Sequence, residues 1–257
     1  MGKQARKLDP AVISPGAFHT YMASRSKVAP QQLSIPPRLM VTFHSNMFHA
    51  ARRRIRGRYL RWYYGSRLVV GSLRGTKLAV LHSFMGSSPA TMMLEELIAC
   101  GGRQVVEVGL CGGLGPVARA GDIIVADEAF VDEGTSGHYF GNASKFSASE
   151  RVSEAIKGAL ADAGLPFEVG GIWTTDAPYR ETRAKLREFK RLGAIGVNME
   201  TSALLAVADY RGIEVGSIQV VSDVLDKKDW KPAFHEKIVS ERSIRTSNAA
   251  LDALLRS

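Results

Sequence analysis

Short, apolar, β-rich runs alternate with helical patterns along most of this 257-residue chain. Such alternation is typical of a sheet whose two faces are covered by helices. The predicted strands are residues 39–43, 68–72, 77–83, 104–108, 122–126, 168–175 and 214–222, and the predicted helices are residues 88–100, 149–163 and about 235–255. We therefore predict a single α/β domain with three layers, α/β/α, around a mixed, twisted central sheet.

The N-terminal segment differs from the rest because prolines interrupt it. These are Pro10, Pro15, Pro30, Pro36 and Pro37. Each of them limits the length of a helix or strand. We predict an irregular arm over residues 1–37, of a kind that often wraps a partner subunit, and one domain over residues 38–257.

Composition argues against several classes of protein. No apolar run approaches the roughly 20 residues of a membrane span, and the N-terminus lacks the apolar core of a secretory signal. The two cysteines, Cys100 and Cys111, are too few and too far apart for a metal knuckle or a Cys-x-x-Cys redox pair. We expect a cytoplasmic protein that makes no membrane contact.

Basic residues outnumber acidic ones and give a formal net charge of +9, which favours anionic partners. The densest run comprises Arg52, Arg53, Arg54, Arg56, Arg58 and Arg61, interleaved with Tyr59, Trp62, Tyr63 and Tyr64. We favour a solvated helix end and hairpin as its interpretation. A contact with an anionic substrate ranks second, and a nucleic-acid strip ranks third.

Two glycine-containing segments follow predicted strands. The segment with Cys111, Gly112 and Gly113 predicts a tight turn, which would bring backbone N–H groups close to a ligand. Gly86 precedes a predicted helix, and we expect Ser87 or Ser88 to be its N-cap. The free N–H groups there could hold an anion, although a helix cap without a ligand is the commoner arrangement.

Two carboxylates also lie where strands end. Glu200 falls in the first turn of a helix after the short strand that ends near Asn198, and it could accept hydrogen bonds from two sugar hydroxyls. Asp223 follows the strand at 217–222 and could protonate a leaving base. Either residue alone would more often be a helix-cap or turn residue.

Taken in order, these segments resemble the nucleoside phosphorylase and nucleosidase superfamily over about residues 38–255. The matching segments are Gly109-Leu110-Cys111-Gly112-Gly113-Leu114, Gly121-Asp122-Ile123-Ile124-Val125, residues 133–139, Asn198-Met199-Glu200-Thr201-Ser202-Ala203 and Val221-Ser222-Asp223. The Met-Glu pair, the Gly-Gly loop and the Gly-Asp-Ile turn in this order are specific to that superfamily.

The resemblance implies a role for each matching residue. Met199 would pack on the ribose, and Glu200 would bind its hydroxyls. Asp223 would protonate the purine nitrogen N7, which points to a purine rather than a pyrimidine. The remaining substrate contacts would come from Asn198, Gly86, Cys111, Gly112 and Gly113, and from Tyr179, or Tyr139 with His138, around the base.

The chain departs from the family at the expected phosphate site. Where phosphorylases have a glycine-aspartate-proline loop with an arginine, this chain has Phe43-His44-Ser45. Their second phosphate arginine aligns with Glu107, and their phosphate-binding serine or threonine aligns with Leu110. A carboxylate about 4 Å from phosphate would oppose its binding by several kcal/mol at an effective dielectric near 20.

These departures favour hydrolysis, and the Gly-Gly loop is similar to that of the AMP nucleosidase branch. We predict a purine nucleosidase that needs no metal or organic cofactor, with Glu107, His44 and Arg54 at a water or anion site. Glu107 would orient water or, as we prefer, form a salt bridge with an arginine of the cluster. If the substrate carries a 5′-phosphate, the arginine cluster would bind it.

Three other functions remain open. A phosphorylase would use orthophosphate as co-substrate, with His44, His82 and the arginines rebuilding an anion site. A non-catalytic nucleoside sensor on the same fold is a second alternative, and an RNA-binding protein, which we do not expect, is the third. The resemblance also implies a homo-oligomer, either a dimer or a hexamer.

Overall fold

The computed structural model describes residues 11–60, 67–115, 119–225 and 229–256. Within these ranges the strands are β1 (Arg38–Thr42), β2 (Arg58–Tyr59), β3 (Arg67–Leu73), β4 (Thr76–His82), β5 (Gln104–Gly113), β6 (Ile123–Asp132), β7 (Lys145–Ser147), β8 (Glu168–Thr175), β9 (Ala194–Asn198), β10 (Glu214–Leu225) and β11 (Trp230–Pro232). The helices are α1 (Pro15–Arg25), α2 (Ser45–Arg54), α3 (Ser87–Ala99), α4 (Thr135–Phe140), α5 (Glu150–Asp162), α6 (Arg183–Leu192), α7 (Thr201–Arg211) and α8 (Lys237–Arg256).

The described strands form one mixed sheet. Its order is β11-β10-β6-β8-β9-β5-β1-β4-β3-β2, and β7 pairs with the outer part of β6. Strand β10 also pairs in parallel with β5, so β5, β9, β8, β6 and β10 form a closed ring. The predicted mixed central sheet is confirmed, whereas its partial closure into a ring was not predicted.

Two helical layers cover opposite faces of the sheet. On β1, Met40 packs with helices α2, α5 and α8, while its neighbours Leu39 and Val41 pack with α3 and α7. Successive side chains of a strand point to opposite faces, so these contacts define two separate layers. The three-layer prediction is therefore confirmed. No helix in the described part of the chain is both long and apolar enough to cross a membrane.

The N-terminal arm is not irregular throughout. Pro15 is at the first position of α1, where a proline is tolerated, and the Ser14 hydroxyl caps the helix by accepting from the Ala17 N–H. Phe18 and Met22 of this helix pack against the core shared by α3 and α7. Proline therefore starts a helix here, where we had expected it only to break one. The predicted boundary at residue 38 stays a prediction.

Candidate active site

Glu200 lies between β9 and α7 and is held by two backbone donors. Its Oε1 accepts from the Gly86 N–H at 2.7 Å, and its Oε2 accepts from the Met199 N–H at 3.2 Å. The side chain is 6% exposed. Burial raises the pKa of the Glu200 carboxyl to about 7, against the opposing effect of these two donors. The backbone N–H at the start of α3 is thus occupied by the protein's own Glu200 side chain.

The start of α3 differs from the prediction. Gly86 is the N-cap, with φ of 100°, and no side chain caps this helix. Ser87 instead donates its hydroxyl to the Met199 carbonyl at 2.7 Å. Glycine suits position 86 because its positive φ points the N–H toward Glu200. The expectation that Ser87 or Ser88 is the N-cap was wrong.

Asn198 and Thr201 connect Glu200 to a deeper carboxylate. The Asn198 amide donates to the Thr201 hydroxyl at 2.6 Å, and that hydroxyl donates to Glu107 at 2.9 Å. Gln219 donates to Ser217 at 2.8 Å and to the Thr201 hydroxyl at 3.4 Å. These side chains form one buried network beneath Glu200. Buried polar groups that satisfy one another in this way fix their geometry.

Glu107 is completely buried on β5. Burial, and then the neighbouring Glu200, raise the pKa of its carboxyl to about 7, while the hydroxyl and amide donors oppose the shift. Among the residues that the structure describes, no lysine, arginine or histidine forms an ion pair with it. The preferred expectation of a salt bridge with an arginine was wrong in this part of the chain. Hydroxyl and amide groups stabilise Glu107 instead.

The predicted glycine turn is part of a strand. Cys111, Gly112 and Gly113 belong to β5 and pair with β10. A Cβ at Gly112 would lie 2.4 Å from Leu225 Cδ1 and 3.4 Å from an Asp223 oxygen. A side chain at position 112 would therefore displace Leu225, and residues 111–113 form no tight turn. The absence of a side chain at Gly112 leaves room beside Asp223.

Asp223 lies near the end of β10 and is 7% exposed. Its Oδ1 accepts from the Ser222 hydroxyl at 2.8 Å, and its Oδ2 accepts from the Trp230 indole N–H at 2.7 Å. Burial, and then Asp223 and Glu107, raise the pKa of the Cys111 thiol, so this cysteine is neutral at physiological pH. Asp223 is therefore held in place by a serine and a tryptophan.

Sequence reasoning missed Trp230 and Glu181 beside Asp223. Burial, and then Asp223, raise the pKa of the Glu181 carboxyl to about 7. Glu181 follows a short 3-10 turn, Pro178–Arg180, at which we had selected Tyr179. The Tyr179 side chain is fully exposed in this chain. Glu181 is two residues from Tyr179 in the same loop, and its carboxyl group was the sequence signal that could have identified this position.

His138 and Tyr139 lie on α4 in the helical layer. Together with α1, α3 and α7 they line a cavity of about 840 Å³. The Tyr139 hydroxyl donates to Glu95 at 3.2 Å, and Glu95 also pairs with Arg211 at 2.6 Å. These contacts tie Tyr139 to α3 and α7. Asp223 is not among the described residues that line this cavity.

His44 and Arg54, which we had predicted at a water or anion site, make other contacts in the structure. Burial, and then His82, lower the pKa of His44 to about 4, so its imidazole is uncharged at neutral pH. Arg54 donates to both carboxylate oxygens of Asp252, at 2.7 and 2.8 Å, and to the Asn248 carbonyl. Arg54 thus joins α2 to α8, and these contacts account for its guanidinium without an anionic ligand.

The rest of the arginine cluster is described only in part. Arg52 stacks over the Tyr59 ring at 4.5 Å from its centroid. Arg61 and the aromatic residues Trp62, Tyr63 and Tyr64 lie outside the described residues. The described arginines therefore include one cation–π contact and one ion pair, both of which are structural.

Comparisons with known proteins agree with this architecture. A family model described as the phosphorylase superfamily matches residues 53–256. A DeoD-type purine nucleoside phosphorylase of Bacillus cytotoxicus is 28% identical over 159 residues, which cover 60% of this chain and 66% of the relative. The chain thus matches slightly less than two thirds of that relative's length.

Two solved structures share the fold. Uridine phosphorylase from Vibrio fischeri has a TM-score of 0.77 and 23% identity, covering 87% of this chain and 93% of the other. Purine nucleoside phosphorylase from Toxoplasma gondii, in complex with immucillin-H, has a TM-score of 0.76 and 19% identity, covering 88% and 93%. One of these proteins is a uridine phosphorylase and the other is a purine nucleoside phosphorylase. The shared fold alone therefore does not identify the base.

Proposed function

The chain belongs to the phosphorylase superfamily, and from this premise we propose that it cleaves the N-glycosidic bond of a purine nucleoside or nucleotide. Glu200 binds the ribose hydroxyls, and Met199 packs on the sugar. Asp223 gives a proton to the purine nitrogen N7 as the bond to the sugar breaks. Positive charge develops on the ribose, and the Glu200 carboxylate stabilises it.

The acceptor of the ribosyl group is water in this proposal. The observation that carries it is Glu107, a carboxyl group that is completely buried and forms no ion pair among the described residues. Its position matches a phosphate-binding arginine of phosphorylases, so the charge there has the wrong sign for orthophosphate. His44 adds no positive charge, because its pKa is lowered to about 4. A neutral water molecule has no such conflict with a carboxylate.

Phosphorolysis is the second candidate, because the curated Bacillus relative is a purine nucleoside phosphorylase. For this chain it requires a cation that offsets the negative charge of Glu107 at the phosphate site. Orthophosphate would then replace water as the acceptor, while Asp223 and Glu200 would keep the same roles. The two reactions therefore differ in a single measurable requirement.

Base release tests the proposal directly. Purified protein is incubated with adenosine, inosine, guanosine, AMP and methylthioadenosine, each with and without orthophosphate, and uridine serves as the pyrimidine control. We expect purine release at the same rate in both buffers, with the sugar unphosphorylated at C1 as product: ribose from the nucleosides, ribose 5-phosphate from AMP and methylthioribose from methylthioadenosine. Strict dependence on orthophosphate, with ribose 1-phosphate as product, would establish phosphorolysis. Release from uridine alone would remove the role of Asp223.

The same assay addresses the 5′ substituent. A preference for AMP over adenosine would indicate a 5′-phosphate contact, and Arg56 and Arg58 of the cluster are the candidates for it. We also propose that the protein is a cytoplasmic homo-oligomer, a dimer or a hexamer. Sedimentation analysis of the full chain tests that assembly, and a monomer at micromolar concentration would exclude it.

A further inference from the structure

Trp230 contacts the proposed proton donor, yet the cleavage reaction assigns it no role. We infer that Trp230 is a positioning residue, which keeps Asp223 ionised in the empty site and leaves it when a purine base enters. This inference rests on the proposed function in one respect, the role of Asp223 as the proton donor.

The chemistry of the indole group is the first argument. Its N–H is a donor only, and it donates to Asp223 Oδ2 at 2.7 Å. A hydrogen bond to an ionised carboxylate is stronger than one to a neutral carboxyl group. Trp230 therefore favours the ionised form of Asp223. That form cannot protonate a purine.

Ser222 behaves differently because a hydroxyl both donates and accepts. It lies 2.8 Å from Asp223 Oδ1 and 3.2 Å from the Cys111 carbonyl oxygen. With Asp223 ionised, Ser222 donates to Oδ1. With Oδ1 protonated, Ser222 can accept that proton's hydrogen bond and turn its own hydrogen to the Cys111 carbonyl. Ser222 suits both protonation states, so Trp230 is the contact that distinguishes them.

Exposure supplies the second argument. Asp223 is 7% exposed, whereas Trp230 is 61% exposed and lies on β11, all of whose residues are exposed. The indole therefore covers Oδ2 from the solvent side. We place the purine N7 at the lone pair of Oδ2 that the indole N–H now occupies, so the base takes the place of the indole. Little buried area is lost when so exposed a side chain moves.

Two other titratable groups lie near Asp223. One is Glu181, whose pKa is raised to about 7 by burial and then by Asp223. The Cys111 thiol is coupled to Asp223 but is kept neutral by burial. Removing the indole N–H leaves Glu181 and Cys111 unchanged. A Trp230 variant therefore isolates the effect of the indole hydrogen bond on Asp223.

The pH dependence of base release tests the inference. In Trp230→Phe the ring remains and the N–H is lost. We expect the alkaline limb of kcat/KM, which reports the free enzyme, to move up by about one pH unit, because a hydrogen bond to a charged group is lost. The alkaline limb of the kcat profile reports the enzyme–substrate complex. It should stay in place, because the indole has already left Asp223 in that complex. An unmoved kcat/KM limb would overturn the inference.

Two further variants separate this effect from altered packing. Phe234→Leu changes the ring that packs beside Trp230, with centroids 6.3 Å apart, but removes no donor. It should leave both limbs where they are. Trp230→His restores a ring N–H and should return the kcat/KM limb toward its wild-type position. A shift of equal size in Phe234→Leu would assign the effect to packing and contradict the inference.

A spectroscopic measurement keeps the test independent of catalysis. In ¹⁵N-labelled protein, the indole signal lost in Trp230→Phe identifies Trp230. We expect this signal to shift in Asp223→Ala and again when adenine, guanine or hypoxanthine is added. A signal unaffected by Asp223→Ala would refute the contact, and one that none of the three bases moves would refute the release. Absence of base release by the wild-type protein would refute the proposed function instead.

Discussion

The proposed reaction divides the site into a ribose side, around Glu200, and a base side, around Asp223. These two sides are built in different ways. The ribose side consists of Glu200, Asn198, Thr201 and Glu107, which are 0–6% exposed and joined by hydrogen bonds to one another or to the backbone. On the base side, Asp223 is covered by a tryptophan that is 61% exposed. The side proposed for the sugar is thus a buried network, whereas the side proposed for the base has an exposed residue over its proton donor.

This difference matches the two tasks. Stabilising charge on the sugar requires acceptors that are already oriented before the reaction. A proton donor has to lose and regain a proton in each turnover, so its surroundings must accommodate two protonation states. Substitutions on the two sides should therefore have different kinetic consequences.

The largest effect is expected on the base side. Asp223→Asn keeps the shape of the side chain but provides no acidic proton. We expect kcat for purine release to fall by about 10²- to 10⁴-fold, because general acid catalysis is lost. The KM should change much less, because the ribose contacts remain. Steady-state kinetics with the best nucleoside substrate measures both constants.

The control for this variant is Glu181→Gln, which removes the neighbouring charge and leaves Asp223 intact. It should retain most of kcat. A smaller loss in Asp223→Asn than in Glu181→Gln would move the proton donor to Glu181 and change our description of the base side.

The ribose side should respond through binding as well as rate. In Glu200→Gln, an amide –NH₂ replaces one oxygen, so a donor faces the N–H of Met199 or Gly86. We expect kcat/KM for nucleosides to fall by about 10²-fold, since an anionic acceptor is lost where positive charge develops. Affinity for the free base should stay within about twofold, because no ribose is involved. Calorimetry with free base and with nucleoside separates the two; equal weakening of both would contradict a ribose role.

The ribose side was also the part that sequence could reveal. Asn198, Met199 and Glu200 are consecutive, so one motif identifies the loop that we propose to bind the sugar. The base side is assembled from positions far apart in the chain. Trp230 meets Asp223 only because β11 folds back antiparallel on β10, and the sequence gives no direct signal of that pairing.

The glycine-rich segment illustrates a different limit. Its composition predicted a turn, because glycine permits positive φ. In the structure Gly112 is in a strand, and the space that its side chain would take is filled by the side chains of Leu225 and Val197. Sequence shows that a side chain is missing but not which neighbours fill its place. The alternation of strands and helices, by contrast, depends on local patterns, so the layers were predicted correctly.

Glu107 offers a test of how much stability the ribose side loses to its buried charge. Burial raises its pKa in the folded protein to about 7, against an ordinary value of 4.5 for a glutamate. Below pH 4.5 both folded and unfolded chains hold the proton. Between pH 4.5 and 7 the unfolded chain releases it first, so stability falls as pH rises. At pH 8 the cost is on the order of 3 kcal/mol.

Glu107→Gln removes this titration. We expect the variant to unfold at a higher temperature than the wild type at pH 8 and at nearly the same temperature below pH 4.5. Among the described residues no hydrogen-bond donor meets Gln219 Oε1, so this oxygen can accept from the new amide. Thermal unfolding at a series of pH values measures the difference. A variant less stable than the wild type at pH 8 would mean that the ionised carboxylate stabilises the network.

Arg54 lies outside both the ribose side and the base side of the site. Its substitution should have the smallest effect. Its guanidinium binds Asp252 and the Asn248 carbonyl, and both side chains of the ion pair are about one quarter exposed. Arg54→Ala should lower the free energy of unfolding by about 1 kcal/mol, because a partly exposed pair contributes little. Asp252→Asn should cause a similar loss, and the double variant should lose less than the sum, since each single change breaks the same contact. Neither variant should alter kcat/KM for nucleosides, as the arginine joins two helices and touches neither side of the site. A KM that rises for AMP but not for adenosine in Arg54→Ala alone would instead place a phosphate contact at this arginine and extend the site beyond the sugar and the base.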